Sequence, residues 1–300
     1  MRTRAPGKVV LSGAYSVLEG ATAIVSAVDR FVIADSERPG TFLTDEVKAA
    51  GFEHPLWFDA GALREDDRKL GLGSSAAILV ATLGAAELRR NPDRSREEVR
   101  QNVFRRALEA HRRAQGGGSG IDVASSCFGG VLEFRLGKDV PLVAPLELPP
   151  GIVVEVWASQ WAASTSALLA RVKGLAVQNG PLFRQRIDAQ AAASESAVQA
   201  CRTGNGPRFI AAIDNQRCAL AALGEAAGVT IVTKEVEALA THAGRLGAAV
   251  MPAGAGGGDI AIYVGPSPSV ELDDLLHAQG HRRLTLTLGA EGLHGIDGEC

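Results

Sequence analysis

The residues whose types and spacing could do chemistry lie in a few glycine-bearing stretches, and the most telling runs Lys69-Leu70-Gly71-Leu72-Gly73-Ser74-Ser75-Ala76-Ala77. Gly71 and Gly73 permit backbone conformations that a Cβ hinders and leave room for a ligand against the main chain. The apolar run from Ala76 to about Leu88 reads as a helix. Its first-turn N–H groups have no partner inside it and suit an anion. Ser74 and Ser75 add hydroxyls at the mouth, one within reach of a magnesium ion. The stretch reads as a phosphate cradle. Taken alone, Gly-Ser is also an ordinary helix start with a serine N-cap. No lysine follows the last glycine as in a Walker A loop, and no third glycine completes a G-x-G-x-x-G fingerprint.

The second stretch is Gln115-Gly116-Gly117-Gly118-Ser119-Gly120-Ile121-Asp122-Val123-Ala124. Its glycines turn the chain tightly and deliver Asp122 among small residues, where a carboxylate serves either capping or chemistry. The third, Gly254-Ala255-Gly256-Gly257-Gly258-Asp259, has four glycines in five residues directly before an apolar strand, which lets backbone pass close to a ligand. Lys8 stands beside the first strand; a lone lysine there is by itself a solvated charge. His111 closes an apolar stripe and reads as a core or edge histidine.

The elements that must position these groups follow from periodicity and punctuation. Val9-Val10-Leu11 is a strand, Tyr15 to Gly20 a turn, and Ala21–Ala34 a second, β-branched strand region. Ser36–Arg68 is the least patterned segment. Ser95 and Glu98 fit a capping box ahead of a helix whose buried stripe is Val99, Val103, Phe104, Ala107, Leu108 and His111. Gly129 to Phe134 is a turn and strand. Pro149-Pro150-Gly151 is the strongest break and divides the chain into domains at 1–150 and 151–300. Beyond it come a strand at 152–157 and a long helical region from Ser164-Thr165-Ser166 to about Ala227. That region is broken at Gly180-Pro181 and at Gly204 to Pro207. Thr233 caps a helix from Lys234 to Gly244, and Leu284, Leu286 and Leu288 alternate as a closing strand.

The chain's 300 residues can hold one large or two modest domains, and 46% hydrophobic with 22% charged residues is a soluble globular balance. A net charge of -3 without a basic run excludes nucleic acid as an expected partner. No apolar run approaches a membrane span or a signal peptide, and Cys127, Cys201, Cys218 and Cys300 form no C-x-x-C pair or metal spacing. The expectation is a cytoplasmic protein with reduced thiols.

Together, Pro6-Gly7-Lys8, Gly71 to Ala77 and Gly254 to Asp259 resemble the three ordered motifs of the GHMP kinases, the superfamily of galactokinase, homoserine kinase, mevalonate kinase and phosphomevalonate kinase. The resemblance runs from Ala5 to about Leu288. It is closest to the phosphomevalonate kinases, through Lys69 to Ser75, Ala110-His111, Ala114-Gln115-Gly116 and Gly118 to Ala124. Ala163-Ser164-Thr165-Ser166 is similar to that family's substrate-side turn.

The resemblance implies an α+β, two-lobed fold: a ribosomal S5-like N-terminal domain with a left-handed βαβ unit, and a ferredoxin-like C-terminal domain. It implies ATP and Mg2+ as cofactors, with Lys69, Gly71, Leu72, Gly73, Ser74, Ser75 and Ala76 on the nucleotide and Ser75 on the metal. Asp122 would act as base or orienter and Lys8 would stabilise the acceptor. Tyr15, Ser119, Gly120, Ser164, Thr165, Gly254, Ala255, Gly256, Gly257, Gly258 and Asp259 would line the substrate. The implied reaction is phosphoryl transfer to phosphomevalonate, by a monomer or homodimer acting on a small-molecule acceptor. Its alternatives are a GHMP kinase acting on mevalonate or another alcohol, and a non-catalytic nucleotide- or metabolite-binding relative. The chain departs from the family pattern at Gly13-Ala14, where Gly-Glu is usual. It departs again at Met251 to Gly254, where a lysine and Pro-Ser-Gly are usual, and in a shorter segment before the second motif.

Overall fold

β-Branched runs bounded by glycine and proline become strands here, and alanine-rich segments with apolar residues at three- and four-residue steps become helices. The computed structural model describes residues 1–65, 68–138, 140–161 and 165–296. The chain passes through β1 (Arg2–Ser12), β2 (Ala23–Pro39), α1 (Asp45–Ala49), β3 (Leu56–Asp59), β4 (Arg64–Glu65) and β5 (Arg68–Lys69). There follow α2 (Ser74–Arg90), α3 (Arg96–Gln115), α4 (Ile121–Phe128), β6 (Val131–Arg135), β7 (Leu142–Pro145) and β8 (Val153–Ser159). The helices α5 (Thr165–Gln178), α6 (Gly180–Arg202), α7 (Gly206–Ala227) and α8 (Lys234–Arg245) come next. The last elements are β9 (Ala249–Pro252), β10 (Ile260–Gly265), α9 (Asp273–Ala278), β11 (His281–Leu284) and β12 (His294–Ile296).

This α+β chain forms two units, one of Met1–Val9, Val25–Leu132 and Leu286–Cys300, the other of Val10–Ile24 and Glu133–Thr285. A six-stranded sheet has the order β12-β1-β2-β6-β7, with β3 also paired to β2. In the first unit β12 runs antiparallel to β1, with Arg2 opposite Ile296. The helix α2 is buried on nearly every side from Ala76 to Glu87, as befits a core helix with no polar face. Its neighbour α3 is amphipathic: Ser95 accepts the Glu98 amide hydrogen in a reciprocal capping box, and the whole expected stripe from Val99 to His111 is buried.

In the second unit the four-stranded sheet takes the order β11-β8-β10-β9, antiparallel in every pairing. Trp157 stacks on Tyr263 at 5.6 Å between ring centroids, and Val236, Leu239 and Ala243 of α8 join them in one core. The two glycine–proline breaks fall at helix starts. Asn179 and Asn205 cap α6 and α7, accepting from the Leu182 and Arg208 amides, with proline in the first turn of each helix.

The expected closing strand at Leu284, Leu286 and Leu288 differs. Only Leu284 lies in a strand, as the last residue of β11, and Leu288 makes an isolated bridge to Val28. The Asp29 carboxylate accepts the Thr287 amide at 2.7 Å, so a side chain takes the hydrogen bond that a continuing ladder needs. No helix among the described residues is long and apolar enough to cross a membrane.

Candidate functional site

The short β4–β5 ribbon, with Arg64 opposite Lys69, leads into the first glycine loop. Leu70 and Leu72 are buried anchors, so the alternating Gly71 and Gly73 are held in place, at φ +73° and +77°. Gly73 itself is the N-cap of α2, and no side chain caps that end. The serine N-cap reading is therefore corrected: the left-handed backbone at Gly73 puts Ser74 and Ser75 inside the first turn, where their hydroxyls cannot fold back as caps. The first helical bond is Ala77 N–H to Gly73 C=O, 3.1 Å, and the Ser74, Ser75 and Ala76 amides lie ahead of it. Such a terminus attracts anions through its amides and its dipole.

Lys8 of β1 joins this loop. Its amide donates to the Leu72 carbonyl at 2.8 Å. A Cβ placed on Gly73 would stand 2.9 Å from Lys8 Cγ and 3.0 Å from Cε, so the lysine stem lies directly on the glycine. Lys8 is half-buried rather than a free surface charge. Leu72 and Ala76 offer a ligand only their backbone, because both side chains are in the core; Lys69 is exposed.

Asp122 arrives by a second glycine device. Gly120, at φ +78°, is the N-cap of α4, and a Cβ there would collide with Leu108 Cδ1 at 2.2 Å. Asp122 is thus not the cap, although its Oδ1 accepts the Val123 amide at 3.0 Å. His111 Nε2, at the end of α3, stands 3.6 Å from the same oxygen, its side chain 3% exposed against 23% for Asp122. Ser119 Oγ accepts from the Ile121 amide at 3.3 Å. One turn beyond Asp122 on the same face, Ser126 donates to the Pro6 carbonyl at 2.8 Å. That bond ties α4 to β1 two residues before Lys8. The first unit therefore brings Lys8, the Gly71–Ser75 loop and Asp122 onto mutually bonded elements.

The residues present fit phosphate groups: a glycine cradle that a Cβ would fill, amides ahead of the first helical bond, two half-buried hydroxyls and a lysine against the loop. Among the described residues no group of three His, Cys, Asp or Glu side chains could hold a metal ion unaided. Magnesium needs few protein ligands when phosphates supply the rest, so the serine hydroxyls fit a minor share of its shell.

In the second unit Tyr15 and the third glycine loop come together. The Tyr15 hydroxyl donates to the Ala255 carbonyl at 2.6 Å, and burial pushes its phenol pKa upward. Tyr15 is a non-glycine residue at φ 61°, held there by its buried ring and this bond. The loop is tethered in its second half. Gly257 N–H donates to Ile231 C=O at 2.8 Å, Ser159 N–H to Asp259 C=O at 3.0 Å, and Ser159 Oγ to Gly258 C=O. At Gly256 a Cβ would meet the Ile231 carbonyl oxygen at 2.4 Å. Gly254 stands in open space at φ +83°. Thr165 is the exposed first residue of α5; Ser164 lies outside the described residues. Ala14 and Met251, the family departures, are both buried.

Sequence reasoning missed His111 as a partner of Asp122, Ser126 as the tether of α4, and Ser159 as the clamp of the third loop. Only the eleven-residue return from His111 through the glycines to Asp122 could have hinted at the first.

Residues 65–130 match the family described as GHMP kinases N terminal domain. The chain is 32% identical to a phosphomevalonate kinase of Streptomyces sp. (strain CL190) over 221 residues, 67% of this chain and 58% of that enzyme's length. It is 27% identical to a mevalonate kinase of Pyrococcus horikoshii over 340 aligned positions, 96% of each chain. Among solved structures, the Lin0012 protein from Listeria innocua superposes with a TM-score of 0.86 at 24% identity, over 99% of both chains. The two-unit α and β architecture agrees with the fold that these matches imply.

Proposed function

With membership of the GHMP kinase superfamily well supported by these matches, we propose that this chain transfers the γ-phosphoryl group of ATP to a small molecule of the mevalonate pathway. The observation that carries the reading is the seating of the Lys8 stem on Gly73, at a helix end that no side chain caps and that Asp122's helix shares a strand with. Phosphoryl transfer asks a protein mainly for positioning and charge stabilisation, and these groups are of the right kind.

The amides of Ser74, Ser75 and Ala76 hold the nucleotide's phosphates, and Lys8 stabilises charge at the transferring group. An attacking hydroxyl oxygen forms the new P–O bond while the β–γ bridging bond breaks, its electron pair leaving on ADP. The hydroxyl proton passes to the Asp122 carboxylate. Ser75, with the phosphates, would hold Mg2+, whose charge neutralises the phosphate oxygens.

Mevalonate is the acceptor we favour: its alcohol needs a base such as Asp122, and the relatives aligned along nearly their whole length include mevalonate kinases, as in Pyrococcus horikoshii. A second reading, phosphomevalonate, is favoured by the Lys69–Ser75 and His111–Ala124 motifs and by the higher identity to the Streptomyces enzyme. A phosphate acceptor arrives anionic and leans on Lys8 more than on a base. ADP release with Mg-ATP and each acceptor, beside an Asp122→Ala variant, separates them. Turnover with mevalonate that the variant abolishes supports the first reading, and turnover with phosphomevalonate alone supports the second. A folded protein that releases no ADP with either sinks both.

A further inference from the structure

We infer that His111 is the positioning residue for Asp122, fixing one carboxylate oxygen so that the other faces the acceptor. The inference rests on the kinase reading for its kinetic consequence, while the pairing itself is a matter of geometry. Both protein contacts of the Asp122 carboxylate fall on Oδ1: the Val123 amide at 3.0 Å and His111 Nε2 at 3.6 Å. Among the described residues Oδ2 has no partner. The Val123 amide holds Oδ1, and His111 Nε2 from a second helix faces that same oxygen, so a small approach of the ring would fix the carboxylate's last torsion and present its second oxygen in one direction.

His111 is built for that task. It sits one turn before the end of α3, 3% exposed, ahead of the glycine turn that leads into α4. Its Nδ1 is buried and has no hydrogen-bond partner among the described residues. A buried histidine kept only for packing would direct its polar atoms at backbone or solvent, because leaving a buried nitrogen unpaired is costly. Here Nε2 faces a carboxylate oxygen at 3.6 Å while Nδ1 is left unpaired, the kind of exception that calls for a functional account. With Nδ1 unpaired, the tautomer that serves Asp122 carries its proton on Nε2. The separation of 3.6 Å exceeds a hydrogen bond, and the Nε2–H···Oδ1 contact is expected to shorten when the acceptor binds.

The test joins a readout independent of turnover to a kinetic one. In 15N-histidine NMR of the whole protein, His111 is expected to carry its proton on Nε2, and its signal is expected to move in Asp122→Asn. A proton on Nδ1, or a signal indifferent to that substitution, overturns the pairing. In the ADP-release assay, His111→Leu is expected to lower kcat about 10- to 100-fold with KM for the acceptor changed less than about 3-fold. His111→Gln, whose amide nitrogen occupies the place of Nε2, is expected to recover most of that loss. Equal kcat in wild type and His111→Leu, or equal losses in the Leu and Gln variants with both folded, overturns the positioning role. Failure of the kinase reading shows separately, as wild-type protein inert toward every acceptor while the NMR arm still reports on the pair.

Discussion

Replacing Gly73 by alanine separates what the backbone of the loop needs from what Lys8 needs. The residue stands at φ +77°, and an alanine in the left-handed region costs about 1–2 kcal/mol. Gly116, the C-cap of α3 at φ +66°, has nothing within 4 Å of its would-be Cβ, so Gly116→Ala carries the backbone term alone. The new methyl at position 73 also meets Lys8 Cγ at 2.9 Å and Cε at 3.0 Å. A flexible lysine stem yields to that contact at little expense in stability, but only by leaving the loop. Denaturant unfolding should therefore show similar destabilisation in the two variants, about 1–2 kcal/mol each. Activity should differ: Gly73→Ala is expected to lose about 10- to 100-fold in kcat/KM for ATP, roughly 1.4–2.7 kcal/mol of transition-state stabilisation, and Gly116→Ala very little. In a Lys8→Met background the additional loss from Gly73→Ala should nearly vanish, since contacting residues are not additive. Full activity in Gly73→Ala, or an undiminished loss in the Lys8→Met background, refutes the reasoning.

Asp122→Asn keeps an acceptor for the Val123 amide, so its stability should stay within about 1 kcal/mol of wild type while kcat falls about 10²- to 10⁴-fold, read by ADP release. Tyr15→Phe removes the bond to the Ala255 carbonyl; it should destabilise by about 1 kcal/mol and speed amide exchange across 254–258, followed by mass spectrometry. Ser95→Ala should destabilise the protein at pH 7, with a penalty that narrows in acid. The Ser95 side chain and amide hold the Glu98 carboxyl below its ordinary value. The stability so gained is present above the unfolded carboxyl's pKa and is lost as pH falls through the lowered folded one. Unfolding of both proteins at pH 7 and near pH 3 checks the sign.

Much of this fold could be read in the sequence because its cues are local. The Ser95–Glu98 box, the stripe from Val99 to His111 and the glycine–proline helix starts at 180–181 and 206–207 each fix an element within a few residues of themselves. The cues failed where the deciding partner is remote in sequence. β12 is a three-residue strand recognisable only by its pairing with Arg2–Arg4 at the other end of the chain. The leucines at 284, 286 and 288 alternate as a strand should, but Asp29 claims the Thr287 amide and ends the ladder. The serine cap at position 74 failed differently: Gly73 adopts the left-handed conformation that only glycine adopts freely, and this moves the cap back by one residue.

The candidate site divides along the same line. Gly71, Gly73, Gly120 and Gly256 were legible because a glycine run next to a helix or strand has few purposes, and the structure supplies the reason at three of them. A Cβ would strike Lys8 at Gly73, Leu108 at Gly120 and the Ile231 backbone at Gly256. His111 was not legible as a partner of Asp122. On its own helix it completes an apolar stripe, and periodicity can say only that such a residue faces inward. What lies inward is decided by how tightly the 116–120 turn folds α4 back onto α3. That turn depends on Gly120, whose φ of +78° strains any larger residue and whose would-be Cβ presses on the Leu108 tip. The glycine that delivers Asp122 is thus the same one that brings its carboxylate to the histidine. An enlarged residue at 120 should therefore disturb the His111 signal as well as the helix cap.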